Sequence, residues 1–183
     1  ADEVSAAVDA AFAEWAKPGC SEFDAQRGPD VAADPLAQDG IFSVGFYEDG
    51  WPASLGVALA VTTWLSNGSC DITEADIAFR GTDVLWVADG WISHLETDVQ
   101  SVATHEVGHW LGFGHDEIYG SPMDTPYSNT RIERTLTCHN TEGVCTLYPA
   151  PGDSCTQDRY CACGVGCNDG ICAGDPAEND EED

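Results

Sequence analysis

Val4, Val8, Phe12 and Trp15 recur at three- and four-residue steps, so residues 3–16 predict a helix with one apolar face, stopped by Pro18-Gly19. From 20 to 88 the period changes. Short apolar segments, among them Leu55 to Thr62 and Ala75 to Phe79, alternate with stretches rich in Gly and Asp, which predicts a twisted mixed sheet with long loops. A second helix is expected from near Thr97, where Thr-Asp-Val-Gln fits a capping box, to Leu111. A short last helix is expected over Thr141 to Tyr148, and Pro149-Ala150-Pro151-Gly152 reads as a linker.

Beyond the linker the composition shifts. Cys155, Cys161, Cys163, Cys167 and Cys172 fall among Gly, Asp and Asn, in a segment that cannot bury a core and needs disulfide staples. Residues 175–183 are acidic and carry no aromatic side chain, so they are expected to be disordered. The chain therefore divides into a domain over 1–149, a cysteine-rich appendage over 150–174 and an acidic tail over 175–183. No apolar run approaches the roughly 20 residues that span a bilayer, so membrane insertion is not expected. The sequence lacks an initiator methionine and an export signal, as expected of a processed form. Nine cysteines fit an oxidising exterior better than the cytosol and point to a secreted protein. Six Lys and Arg against 33 Asp and Glu give a formal net charge of −27, a surface that repels nucleic acid and anionic membranes. Carboxylate-rich loops can also hold calcium through hard oxygen ligands, with Asp71, Glu74, Asp83 and Asp89 as candidates, although no loop matches an EF-hand.

The chemistry is concentrated in residues 104–116, Thr-His-Glu-Val-Gly-His-Trp-Leu-Gly-Phe-Gly-His-Asp, which contain H-E-x-x-H extended by x-x-G-x-x-H. His105 and His109 stand four residues apart, so a helix projects both imidazoles from one face toward a shared metal ion. Glu106, one position on, points beside the ion, where a carboxylate can polarise a metal-bound water. Gly112 tolerates the left-handed conformation that commonly ends a helix, so the chain can turn there and bring His115 back to the metal. Three neutral imidazoles with one position left open describe a catalytic zinc site rather than a structural one. Zinc held this way lowers the pKa of a bound water toward roughly 7. Glu106, as general base, would take the proton during attack on a peptide carbonyl and return one to the leaving amine.

Met123, the only methionine, lies eight residues past His115 in Ser-Pro-Met-Asp-Thr-Pro-Tyr. The elongated motif and this methionine together resemble the metzincin clan of zinc peptidases, with its Met-turn, and within it the matrixins (matrix metalloproteinase-like peptidases). The eight-residue step fits matrixins, as does Tyr127 four residues after Met123. Astacins and serralysins instead place a zinc-binding tyrosine two residues after the methionine, where Thr125 stands, while Asp116 after the third histidine is shared with adamalysins. The resemblance implies an α+β fold: a twisted mixed sheet, an active-site helix and a C-terminal helix, with Met123 as an apolar floor beneath the imidazoles. It makes Leu55 to Thr62 the edge strand beside the cleft, binding an extended peptide by strand addition. The implied function is a secreted, monomeric zinc endopeptidase acting on protein or peptide substrates, with His105, His109 and His115 on the metal and Glu106 as the catalytic base. Ser101, one turn before His105, and Tyr127 are the expected substrate-binding residues. Matrixins often carry a larger side chain at the Ser101 position to limit the pocket just after the scissile bond, so a deep pocket preferring an apolar residue is expected here. Glu142 to Tyr148 resembles the matrixin C-terminal helix, with His139 and Asn140 where a pair of aspartates usually anchors a freed N-terminus.

His94 and His139 are the only histidines outside the motif, too few for the second, structural zinc that many matrixins carry, so each is expected to be solvated or hydrogen-bonded. Cys20, Cys70, Cys138 and Cys145 are expected to form two bridges, in a pairing the sequence leaves open. An odd total of nine leaves at least one thiol free or bridged between chains. Cys163-Gly164-Val165 resembles the Cys-Gly-x core of the matrixin cysteine switch, so a self-inhibited latent peptidase is one alternative. A non-catalytic binding or adhesion module built on the cysteine-rich segment is another.

Overall fold

The computed structural model of the chain describes residues 2–67, 71–88, 93–126, 132–150, 166–168 and 171–173. Helix α1 (Asp2–Trp15) follows the predicted period and buries Ala7, Ala11 and Trp15. The small side chains at 7 and 11 let it lie close against helix α2 (Val99–Trp110), the active-site helix of the sequence reading. Trp15 fixes the contact, donating its indole N–H to the Thr104 carbonyl at 2.8 Å.

Three strands form the main sheet: β1 (Ser43–Tyr47), β2 (Ala60–Ser66) and β3 (Ile72–Arg80), in the order β1-β3-β2. β1 runs parallel to β3 and β2 antiparallel to it, which makes the sheet mixed and leaves β2 at an edge. Central β3 is buried on both faces, and its Glu74 and Asp76 are buried with it. Buried carboxylates need partners. Glu74 accepts the main-chain N–H groups of Asp39 and Gly40 at 2.7 and 3.0 Å, and Asp76 accepts both the N–H and the hydroxyl of Ser43 at 2.9 and 2.7 Å. Burial pushes the Asp76 carboxyl above its ordinary value.

Ala60, Ile77 and Phe79 of the sheet pack on Val102, Ala103, Val107 and Leu111 of the second helix, a stripe at helical spacing. Met123 and Val144 close this core. Val144 belongs to helix α3 (Cys138–Leu147). The fold is α+β, as the sequence implies. Among the described residues, no helix is long and apolar enough to cross a membrane.

Two helix boundaries differ from the sequence reading. α2 starts at Val99 with Asp98 as its cap, not Thr97, because Thr97 and Asp98 form a short strand, β5 (Thr97–Asp98), parallel to β4 (Trp86–Val87). The Asp98 carboxylate accepts the Ser101 N–H at 2.8 Å. α3 starts at Cys138, three residues before the expected Thr141, since Thr137 and Asn140 cap it reciprocally.

A disulfide joins Cys20, just after α1, to Cys145 in α3, across 125 residues. The chain segments beside it are tied too, with Ala150 N–H donating to the Cys20 carbonyl at 2.8 Å and Glu22 N–H to that of Tyr148 at 2.9 Å. Cys138 is also disulfide-bonded; Cys70 lies outside the described residues. Of the cysteine-rich appendage, two short antiparallel strands are described, β6 (Gly166–Asn168) and β7 (Ile171–Ala173). Cys163 and the acidic tail over 175–183 lie outside the described residues.

Candidate active site

His105 and His109 project from one face of α2, and the end of that helix delivers the third imidazole. Phe113 N–H donates to the Gly108 carbonyl and Gly112 N–H to the His109 carbonyl, both at 2.9 Å, with Gly112 at φ 93°. This pair of bonds around a left-handed glycine is a Schellman motif, which reverses the chain. His115 is thereby carried back over the helix: its Nε2 lies 3.1 Å from His109 Nε2, which is itself 3.0 Å from His105 Nε2.

Those separations carry a chemical message. His105 Nδ1 lies 2.7 Å from the Pro122 carbonyl and His109 Nδ1 lies 2.8 Å from that of Phe113. A carbonyl oxygen only accepts, so each Nδ1 holds the proton and each Nε2 presents a lone pair. Burial, and then the neighbouring His109, push His105 down to about 4, so its imidazole stays neutral near pH 7. Burial lowers His109 as well. Two lone pairs facing one another at 3.0 Å repel unless a cation lies between them. Nitrogen atoms about 2.0–2.1 Å from one tetrahedral zinc would stand about 3.3 Å apart, close to the spacing seen. The donor set and its tautomers therefore fit zinc. Among the described residues, these three histidines are the one group of three or more His, Cys, Asp or Glu side chains arranged to share an ion.

Glu106 is 4% exposed, and burial raises its carboxyl to about 7 against an opposing hydrogen bond from Thr62. The Thr62 hydroxyl, from edge strand β2, lies 2.6 Å from Glu106 Oε2 and 3.0 Å from the Glu106 carbonyl oxygen. A buried carboxyl raised in this way, beside three converging imidazoles, is suited to accepting and releasing a proton.

Met123 lies beneath α2 with 1% exposure. Gly108 permits this, because a Cβ there would overlap Met123 Sδ and come within 2.8 Å of Trp15 Cζ2. The turn carrying Met123 is tied to the loop after His115: Asp116 N–H donates to the Met123 carbonyl at 3.0 Å, and Ser121 donates its hydroxyl to Asp116 at 2.7 Å. Asn140, fully buried in α3, donates its amide to the Ser121 oxygen at 3.1 Å. The residue at one position of the expected aspartate pair thus anchors the turn below the histidines.

Ser101 is 1% exposed and its hydroxyl is engaged on both sides, donating to Asp98 at 2.7 Å and accepting the Glu133 N–H at 2.9 Å. Arg134 also reaches Asp98, through Nε at 2.8 Å and through Nη2. Tyr127 lies outside the described residues. Of the calcium candidates, Glu74 holds the Asp39-Gly40 main chain, Asp71 pairs with Asn67 and Asp83 lies 3.7 Å from Arg80; Asp89 lies outside the described residues.

Sequence reading found the ligand motif and missed Thr62, Asp98, Arg134 and Ser121; it noted Asn140 only at a position where an aspartate is usual. Thr62 left one trace, a hydroxyl residue in an otherwise apolar run.

A family model described as Matrixin (Peptidase_M10) matches residues 1–149. Metalloendoproteinase 1-MMP of Arabidopsis thaliana is 38% identical over 82 residues, covering 40% of this chain and 22% of that protein. Metalloendoproteinase 2-MMP of the same plant is 34% identical over 73 residues, covering 37% and 19%. Stromelysin-3 of Xenopus laevis is 35% identical over 78 residues, covering 43% and 15%. The match spans about a fifth of the length of these curated relatives. With the family model running from the first helix through the third, the chain belongs to the matrixin family of metzincins.

Proposed function

We propose that the chain is the catalytic part of a zinc endopeptidase in which His105, His109 and His115 hold the metal and Glu106 is the general base. The observation that supports it best is the convergence of three imidazole Nε2 atoms, at 3.0 and 3.1 Å, beside a buried carboxylate. Zinc, when bound, supplies a Lewis acid and a nucleophile at neutral pH. The chain's own residues do the rest. Pro122 and Phe113 orient the two helical imidazoles through Nδ1 and raise their basicity as ligands. Glu106 takes a proton from the attacking water as the carbon–oxygen bond forms and gives one to the amine as the carbon–nitrogen bond breaks.

The substrate is an extended protein or peptide segment that adds through main-chain hydrogen bonds to β2, which among the described residues is an edge strand. Nucleic acid is not a partner for a chain of net charge −27. Ser101 contributes to the pocket after the scissile bond by holding the Glu133 main chain, and Tyr127 is assigned to substrate binding by its place four residues after Met123. An apolar residue is expected there, and a cleavage profile favouring charged residues would contradict this. The Cys20–Cys145 bridge supports action in an oxidising, extracellular compartment. The test is hydrolysis of casein by the purified chain, abolished by a zinc chelator and restored by zinc. Glu106→Gln should keep its zinc and lose nearly all turnover; a zinc-loaded variant at the wild-type rate would overturn the assignment.

A further inference from the structure

We propose that Thr62 is a positioning residue for the base, an inference that rests on the peptidase reading above. Its hydroxyl has one proton and two acceptors in reach, both on Glu106: Oε2 at 2.6 Å and the main-chain carbonyl at 3.0 Å. The shorter contact, to the charged group, is the stronger. Glu106 is 4% exposed, so bulk water cannot replace the hydroxyl. Thr62 is held in turn by the β2–β3 ladder, where it lies opposite Ile77. A β-branched side chain on a paired strand has little rotamer freedom, so the strand sets the direction of the donated bond.

Two consequences follow for the proton. A hydrogen bond donated to Oε2 stabilises charge on that oxygen and makes it the poorer site for protonation. The proton taken from the attacking water therefore goes to Oε1, and from Oε1 it passes to the leaving amine, which restores the carboxylate. While the carboxyl is neutral the hydroxyl can turn to the carbonyl oxygen at 3.0 Å without any main-chain movement. The same contact places the base under the control of the strand that receives the peptide. Occupancy of the β2 edge and alignment of Glu106 thus share one residue.

Thr62→Val preserves shape and removes the donor, so kcat should fall about 10- to 100-fold with KM nearly unchanged, at full zinc content and unchanged Tm. Thr62→Ser should recover most of the loss. Should Thr62→Val fold poorly or bind zinc weakly, Thr62→Ala makes the same comparison per bound zinc. A decisive arm is Glu106→Asp, whose shorter carboxylate no longer reaches the hydroxyl: adding Thr62→Val to it should cost less than twofold. Wild-type kcat in Thr62→Val, a Ser variant no better than Val, a rate loss that only tracks lost zinc, or the full Thr62→Val penalty persisting in Glu106→Asp would each overturn the inference. Failure of the peptidase reading itself looks different, because Glu106→Gln would then turn over like the wild type.

Discussion

Gly108→Ala sets two opposing effects against each other, and their magnitudes decide the sign. Alanine is the better helix former, worth about 1 kcal/mol in a helix interior. Against that, the added Cβ would overlap Met123 Sδ and approach Trp15 Cζ2 to 2.8 Å. Overpacking of this kind costs about 1–3 kcal/mol. The upper end applies, since Trp15 is fully buried and tied to the Thr104 carbonyl, so it cannot give way. Met123 must move instead, and its turn is bonded to Asp116 and Ser121. The net loss is about 1–2 kcal/mol, a fall in Tm of about 2–8 °C for a chain of this size. Displacement of the turn would also move the Pro122 carbonyl that orients His105, so zinc affinity should weaken. Thermal unfolding followed by circular dichroism, with and without zinc, and competition against a chromophoric chelator measure both effects. A Tm at or above the wild-type value would show that helix propensity outweighs the close packing and would refute the reasoning.

Asp98→Asn should lower stability by about 2–3 kcal/mol, because it removes the carboxylate to which Arg134 and Ser101 both donate, as denaturant unfolding would show. Burial pushes the Asp98 carboxyl up, but hydrogen bonds from Arg134 and Ser101 outweigh it and hold the group below its ordinary value. Its contribution is therefore complete above the ordinary carboxylate range and is lost as pH falls through the depressed folded-state value, so the gap between wild type and variant should close on acidification. Asn140→Ala should lower Tm and weaken zinc binding in the same chelator competition, since it unties the turn beneath His105 from α3. Replacing Cys20 and Cys145 together by serine should cost up to about 4–5 kcal/mol, as expected for a bridge closing 125 residues, with denaturant unfolding as the readout.

The ligand helix was legible in the sequence because two periodicities coincide there. Histidines four apart share a helix face, and Gly112 supplies the positive φ that ends the helix and returns His115. The α1 period was equally plain, since Trp15 and its partners face a single core. Boundaries were harder. Thr97 satisfies the local rule for a cap, yet Asp98 wins because its carboxylate also receives Arg134, 36 residues away. Local pattern carries no trace of that partner. The start of α3 moved for a similar reason, as Asn140 was read through the family's aspartates and not as the reciprocal partner of Thr137. Thr62 was invisible as a site residue because its partner stands 44 positions on, in another element. Ser101 was placed correctly on the helix, but its hydroxyl is committed to Asp98 and Glu133, which no spacing rule announces.

The metal centre is tested most directly by zinc-edge X-ray absorption on the purified chain, together with its zinc content. The account predicts one zinc per chain with a first shell of three imidazole nitrogens at about 2.0–2.1 Å and one further light atom. Substoichiometric zinc, or a sulfur shell at about 2.3 Å, would contradict it.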